Sequence, residues 1–184
     1  MTGIRGFTLF ELLITLVIVS FALAMAIPPL GKSLQRNIVY ADSKELLHLV
    51  KLARQSAVFG SIRVVVCAID GNQRCTRDWS RDLLVFTDSN RNNQLDEQDR
   101  IVKRWQQGKR RSKLQWSGFG PGYLRFRQSG TAAENGAFTL CPVDGDIRNA
   151  RQLVVNRVGR AYISRDRDGD GVADYGNNRK PACS

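Results

Sequence analysis

The sequence predicts an α+β chain, with a long N-terminal amphipathic and transmembrane helix packed on an antiparallel β-sheet head. Three observations predict it. Residues 12–27, "LLITLVIVSFALAMAI", carry no charge. Apolar residues then recur near helical spacing from Leu34 to Val58. From Gly60 onward, short runs of β-formers alternate with glycine, asparagine and aspartate. The first pattern suits a bilayer crossing, the second an amphipathic helix and the third short antiparallel strands.

Extended to Phe7 and Leu30, the uncharged run approaches the ~20 residues that cross a bilayer core. An ordinary signal peptide would use Arg5 as its basic region and the small residues before Ile27 as a cleavage site. Glu11 argues against that reading, because an ionised carboxylate in a bilayer costs several kcal/mol and persists where it is paired for a function. Pro28 and Pro29 predict a bend where the run ends. Leu34, Ile38, Ala41, Leu46, Leu49, Val50, Ala53 and Val58 then carry the helix on, with Lys32, Arg36, Asp42, Lys44, Lys51 and Arg54 between them. A helix from Phe7 to about Val58 would be roughly 78 Å long at 1.5 Å per residue, too long for a compact domain. One half therefore belongs in a membrane or assembly and the other on the head.

In the head, "SIRVVVCAI", "DLLVFTD", "RIVKRW", "KLQWS", "YLRFR", "AFTLCP", "RQLVVN" and "RAYIS" read as strands, and "DGNQ", "GFGPG" and "NRVG" as turns. Alternation in "YLRFR" sets Leu124 and Phe126 against Tyr123, Arg125 and Arg127, the pattern of a half-buried strand. Short connections favour antiparallel pairing.

The 184 residues carry a formal net charge of +11 and a single histidine, His48. Paired-histidine catalysis and metal chemistry are excluded on that count, and anionic partners are favoured. There is no G-x-S-x-G elbow and no phosphate loop, so the chain does not read as an enzyme. Cys67, Cys75, Cys141 and Cys183 form no C-x-x-C pair and suit disulfides in an exported protein. Three connectivities are open; the short "DGNQ" turn favours Cys67 with Cys75, leaving Cys141 with Cys183 to tie down the tail.

"IRGFTLFELLITLVIVSFALAMAIP" resembles the class III leader of type IV pilins and type II secretion pseudopilins, on Gly6, Phe7, Thr8, Leu9, Glu11 and Leu12. The resemblance implies a prepilin leader at 1–6, cleavage between Gly6 and Phe7 by prepilin peptidase, and N-methylation of Phe7. It also implies that the Glu11 carboxylate pairs with the amino terminus of a neighbouring subunit. Residues 7–30 would form the transmembrane and assembly helix, 31–59 its amphipathic continuation, and 60–184 a periplasmic β-rich head. The expected location is the bacterial inner membrane, single-pass, and a pilus or pseudopilus after assembly.

"LARQSA" running into "RVVVC", the strand and polar loop "LLVFTDSNRNNQLDEQD", and Asn156, Gly159 and Arg160 of "VNRVGRA" are similar to the GspH/FimT (FimU-like) family. That resemblance implies a minor pilin acting with other minor pilins and the major pilin in pilus initiation, in the tip complex and in twitching motility. Two alternatives stay open. One is a pilus-associated DNA receptor, since Gly159, Arg160, Arg165 and Arg167 resemble a glycine-arginine motif, although Ala161 and Tyr162 interrupt it. Lys109, Arg110, Arg111 and Lys113, beside Arg104, Trp105 and Trp116, add a basic run suited to phosphates and stacked bases, or else a basic loop whose tryptophans serve the core. The other alternative is a minor pseudopilin of a type II secretion system.

Two loops are rich in oxygen donors. "DSNRNNQLDEQD" sets Asp88, Asn90, Asn92, Asp96 and Asp99 at EF-hand positions 1, 3, 5, 9 and 12, with Asn93 where a glycine is usual. "DRDGDGVAD" sets Asp166, Asp168, Asp170 and Asp174 at positions 1, 3, 5 and 9 with Gly171 at position 6, and resembles the calcium loops of thrombospondin type 3 repeats. No cofactor is required; calcium is the one candidate, ordering the tail without catalysis, and the alternatives are a polar hairpin loop at 88–99 and, at 166–174, where Asn177 at position 12 brings no charge, screening by Arg165, Arg167 and Arg179.

Overall fold

A computed structural model describes residues 8–118, 120, 122–174 and 180–183, without the side chains of 25–30, 32 and 107. Gly6, Phe7, Asn177 and Arg179 lie outside the described residues. The chain divides into two units, Met1–Gln35 and Arg36–Ser184.

The helix α1, Leu9–Phe59, continues through Pro28 and Pro29 without interruption. In the first unit its side chains have no core to enter. Leu9, Phe10, Leu12, Leu13, Ile14, Leu16, Val17, Ile18, Val19, Phe21 and Leu23 are 43–76% exposed. The membrane crossing expected from the sequence is not met among the described residues, where no helix is long and apolar enough to cross a membrane.

In the second unit the same helix is amphipathic. Val39, Leu46, Leu49, Val50, Ala53 and Ala57 are fully buried, at the i, i+3, i+4, i+7 spacing that puts them on one face. They join one cluster with Val64, Val66, Leu83, Val85, Leu124, Phe126, Phe138, Leu140, Leu153 and Val155.

All eight strands read from the sequence form. They are β1 (Val64–Ile69), β3 (Leu83–Thr87), β4 (Ile101–Trp105), β5 (Lys113–Gly118), β6 (Tyr123–Phe126), β7 (Gly136–Cys141), β8 (Arg151–Val155) and β9 (Ala161–Ile163). A ninth, β2 (Cys75–Thr76), is only two residues long. The head holds two antiparallel sheets. One runs β2-β1-β3-β4 with β6 also on β1; the other runs β5-β7-β8-β9.

Strands β1 and β3 are buried on both faces. Their second face, Val65, Cys67, Ile69, Leu84 and Phe86, is covered by Cys75, Leu95 and Tyr123. Disulfides join Cys67 to Cys75 and Cys141 to Cys183, with Cα atoms 5.5 and 5.7 Å apart. The first closes the "DGNQ" turn, where the Gln73 N–H donates to the Asp70 carbonyl and Gln73 takes a φ of 62°. The second anchors the tail to β7.

Candidate functional site

At the start of α1, the Thr8 hydroxyl accepts the Glu11 N–H at 3.2 Å, which caps one of the free donors of the first turn. Glu11 is the acidic residue of that turn, where the positive end of the helix dipole favours a carboxylate. Thr15 and Ser20 donate their hydroxyls to the Leu12 and Leu16 carbonyls. Their polarity is thus satisfied within the helix. Between Leu9 and Ala24 the surface is apolar apart from Glu11 and these locally bonded hydroxyls.

A groove of about 880 Å³ lies in the second unit, and its lining includes Lys44, Lys51, Arg54, Arg151, Arg160 and Arg165. Arg36, Tyr40, Leu47 and Gln55 add to the helical wall. The steps from 36 to 40, 44, 47, 51 and 54 keep these residues on one helix face. This helical wall was missed from the sequence, where the cations read as a solvated face; the same spacing was the signal that could have found it.

Arg160 reaches the groove from the turn joining β8 to β9. The Gly159 N–H donates to the Asn156 carbonyl, and the Arg160 N–H donates to the Asn156 side chain at 2.9 Å. Gly159 has a φ of +79°, and a Cβ there would lie 1.9 Å from the Gly130 carbonyl oxygen. Only glycine fits, which accounts for the "VNRVGRA" pattern. The Arg160 guanidinium lies 5.8 Å from the centroid of the Tyr162 ring. Burial, and then the positive charge of Arg36, hold Arg151 below its ordinary pKa. Cations crowded in this way favour an anion.

The structure separates the two basic clusters read from the sequence. Lys109–Lys113 adjoin β5 and Arg160 adjoins β9, the opposite edges of the second sheet. Arg110 is no phosphate ligand as it stands. It is buried, donates to the Trp79 and Ser80 carbonyls, and lies 5.5 Å from the centroid of Trp105. Burial pulls its pKa down against the opposing pull of Asp42. Trp105 is in the core, and Trp116 packs on Trp79 and Phe138. Asp42 of α1 accepts the Arg111 and Ser112 N–H groups at 3.0 and 2.8 Å, so this stretch holds the second half of α1 to β5. Lys109, Arg111 and Lys113 remain exposed.

The first acidic loop is closed by the protein itself. Arg63 donates to Asp88 at 2.8 Å and also to the Arg91 carbonyl and Asn93. Asn90 and Asn92 point amide donors, not oxygens, at Asp96. Asp99 accepts the Ser89 and Asp96 N–H groups. Leu95 is apolar because it covers β1 and β3. A guanidinium therefore neutralises Asp88 in this loop.

In the second acidic loop, Asp166, Asp168 and Asp174 each bring a carboxylate oxygen within 4.8 Å of the others. The Gly171 N–H, then that of Gly169, holds the Asp166 carboxyl below its ordinary value. Asp170 turns away to Lys180.

The helix followed by an antiparallel head defines a pilin-like fold. Two crystal structures of the type IV minor pilin FimU from Pseudomonas aeruginosa share it. One has a TM-score of 0.57 at 18% identity over 81% of this chain and 97% of FimU. The other has 0.55 at 16% over 79% and 99%. The minor pseudopilin EpsH of the Vibrio cholerae type 2 secretion system gives 0.45 at 13% over 68% and 94%. No curated protein matches the sequence. Residues 42–159 match the family model described as type II transport protein GspH, and residues 1–27 match the prokaryotic N-terminal methylation motif. The chain belongs to the GspH family of minor pilins and pseudopilins.

Proposed function

We propose that this chain is a minor type IV pilin, processed between Gly6 and Phe7, methylated on Phe7, and inserted with other minor pilins into the complex that initiates and tips a pilus. The observation that carries this reading is the apolar surface from Leu9 to Leu23, exposed throughout and broken by one carboxylate. Covering each large side chain there contributes roughly 1.5–3 kcal/mol, so the segment favours lipid before assembly and neighbouring helices after it. Glu11 then fixes register, because its charge is tolerated only where a neighbour's amino terminus meets it.

The test is Glu11→Ala in the native organism, at normal abundance. Leader cleavage, read by mass spectrometry of the mature N-terminus, should persist while surface pili and twitching fall more than tenfold. Breaking a buried pair costs about 3–5 kcal/mol, well above the ~1.4 kcal/mol of a tenfold change. Normal piliation with the variant present would remove the register role. Loss of protein secretion with motility intact in a deletion strain would instead mark a type II pseudopilin.

The basic groove favours a second role, DNA binding at the pilus. Detergent-solubilised full-length protein should bind single-stranded DNA with a salt dependence that Lys51→Gln and Arg160→Gln each weaken by ~0.7 in slope. Replacing Lys109 and Lys113 should leave the slope unchanged. Equal loss from both clusters, or no binding at low salt, would dismiss the groove as a DNA site.

A further inference from the structure

We propose that the loop from Asp166 to Asp174 is a calcium site, a property separate from assembly. Its donors already converge, since one carboxylate oxygen from each of Asp166, Asp168 and Asp174 lies within 4.8 Å of the other two. The independent observation concerns Asp174. Its residue is 2% exposed, its Oδ2 accepts the Arg167 N–H at 2.9 Å, and its Oδ1 is buried with no hydrogen-bond donor. A buried anionic oxygen facing no donor is costly unless a cation meets it.

Among the described residues the protein supplies no such cation: Lys180 pairs with Asp170, and no described lysine or arginine forms an ion pair with Asp166, Asp168 or Asp174. The alternating aspartates and the left-handed Gly171, with a φ of +85°, give the spacing of a calcium loop. All-oxygen ligation on a loop suits calcium better than magnesium, which demands near-ideal octahedral geometry and keeps its waters. Lys180 of the tail pairs with Asp170 of this loop, and Arg165, Asp166, Gly171 and Ala173 contribute to the lining of the basic groove.

The experiment is calorimetric titration of the full-length protein in detergent, stripped with chelator and then given calcium chloride, with thermal melting alongside. One site should fill with a Kd of about 10⁻⁵–10⁻³ M, and the melting midpoint should rise with calcium. Asp168→Asn, on an exposed residue, should weaken binding at least about tenfold and leave the metal-free midpoint unchanged. Absence of heat and of any melting shift at several-fold higher calcium would overturn the site. A calcium response in Asp166→Asn and Asp168→Asn equal to that of the wild type would overturn the ligand set. An equal response of the wild type to magnesium chloride would overturn the assignment to calcium.

Discussion

The loops at 88–99 and 166–174 carry nearly the same alternation of oxygen side chains, yet they are built on opposite electrostatic solutions. In the first, the residue just before β1 supplies a positive charge. Arg63 reaches Asp88, the Arg91 carbonyl and Asn93, and the asparagines present donors to Asp96. In the second, three carboxylates face one another, and among the described residues no guanidinium pairs with them. Each loop leaves one buried aspartate oxygen without a donor, Asp88 Oδ1 and Asp174 Oδ1. The difference is that Asp88 is charge-neutralised through its other oxygen, whereas among the described residues Asp174 receives a backbone N–H alone. A local motif states which oxygens can converge; the strand next to it decides whether a metal has a role.

The largest expected effect follows from removing the internal cation. Arg63→Met leaves a fully buried Asp88 carboxylate unpaired and should destabilise the head by about 3 kcal/mol, lowering the melting midpoint by roughly 6–12 °C. Adding Asp88→Asn to that variant should recover more than half of the loss, because the unpaired charge is removed with it. A double variant as unstable as the single one would show that Arg63 acts through the loop carbonyl and Asn93 instead of through Asp88.

The next effect is smaller and of opposite sign. In chelator, Asp174→Asn keeps an acceptor for the Arg167 N–H and removes a buried charge that has no cation. It should therefore raise the midpoint by about 2–4 °C, or ~1 kcal/mol. Asp88→Asn should lower it, since Arg63 loses its counter-ion. In saturating calcium the Asp174→Asn variant should fall below the wild type. Matching signs for the two aspartates in chelator would erase the distinction between the loops.

What was legible in the sequence follows the same division between local and long-range information. The eight strands were legible because β-branched and aromatic runs stand between turn formers, and the convergence of Asp166, Asp168 and Asp174 because it is encoded within nine residues. Strand β2 was not, since two residues carry no period and its place beside β1 is set by the Cys67–Cys75 bond. The split of the head into two sheets was equally hidden, because it depends on β6 returning to β1 while β5 pairs with β7. Arg110 read as a free cation from its basic neighbours, but its burial depends on the carbonyls of Trp79 and Ser80, some thirty residues away. The groove joins α1 to the β8–β9 turn, a juxtaposition of segments about a hundred residues apart that no window of sequence contains.

The smallest expected effect tests whether donor count alone makes a cation loop. Asn92→Asp gives the first loop another carboxylate beside Asp96, on an exposed side chain. The midpoint should move by less than about 2 °C, as for most surface changes, and calcium should not restore it. The reason is geometric. Arg63 still donates to Asp88 and Asn93, so a cation would have to displace the guanidinium of a side chain that is four-fifths buried, just before a strand packed on both faces. Combining Asn92→Asp with Arg63→Met removes that competitor, and a calcium-dependent rise in the midpoint should then appear. If calcium stabilises the Asn92→Asp variant while Arg63 is intact, the neighbouring guanidinium is not what keeps this loop from taking a metal, and the two loops differ in donor number alone.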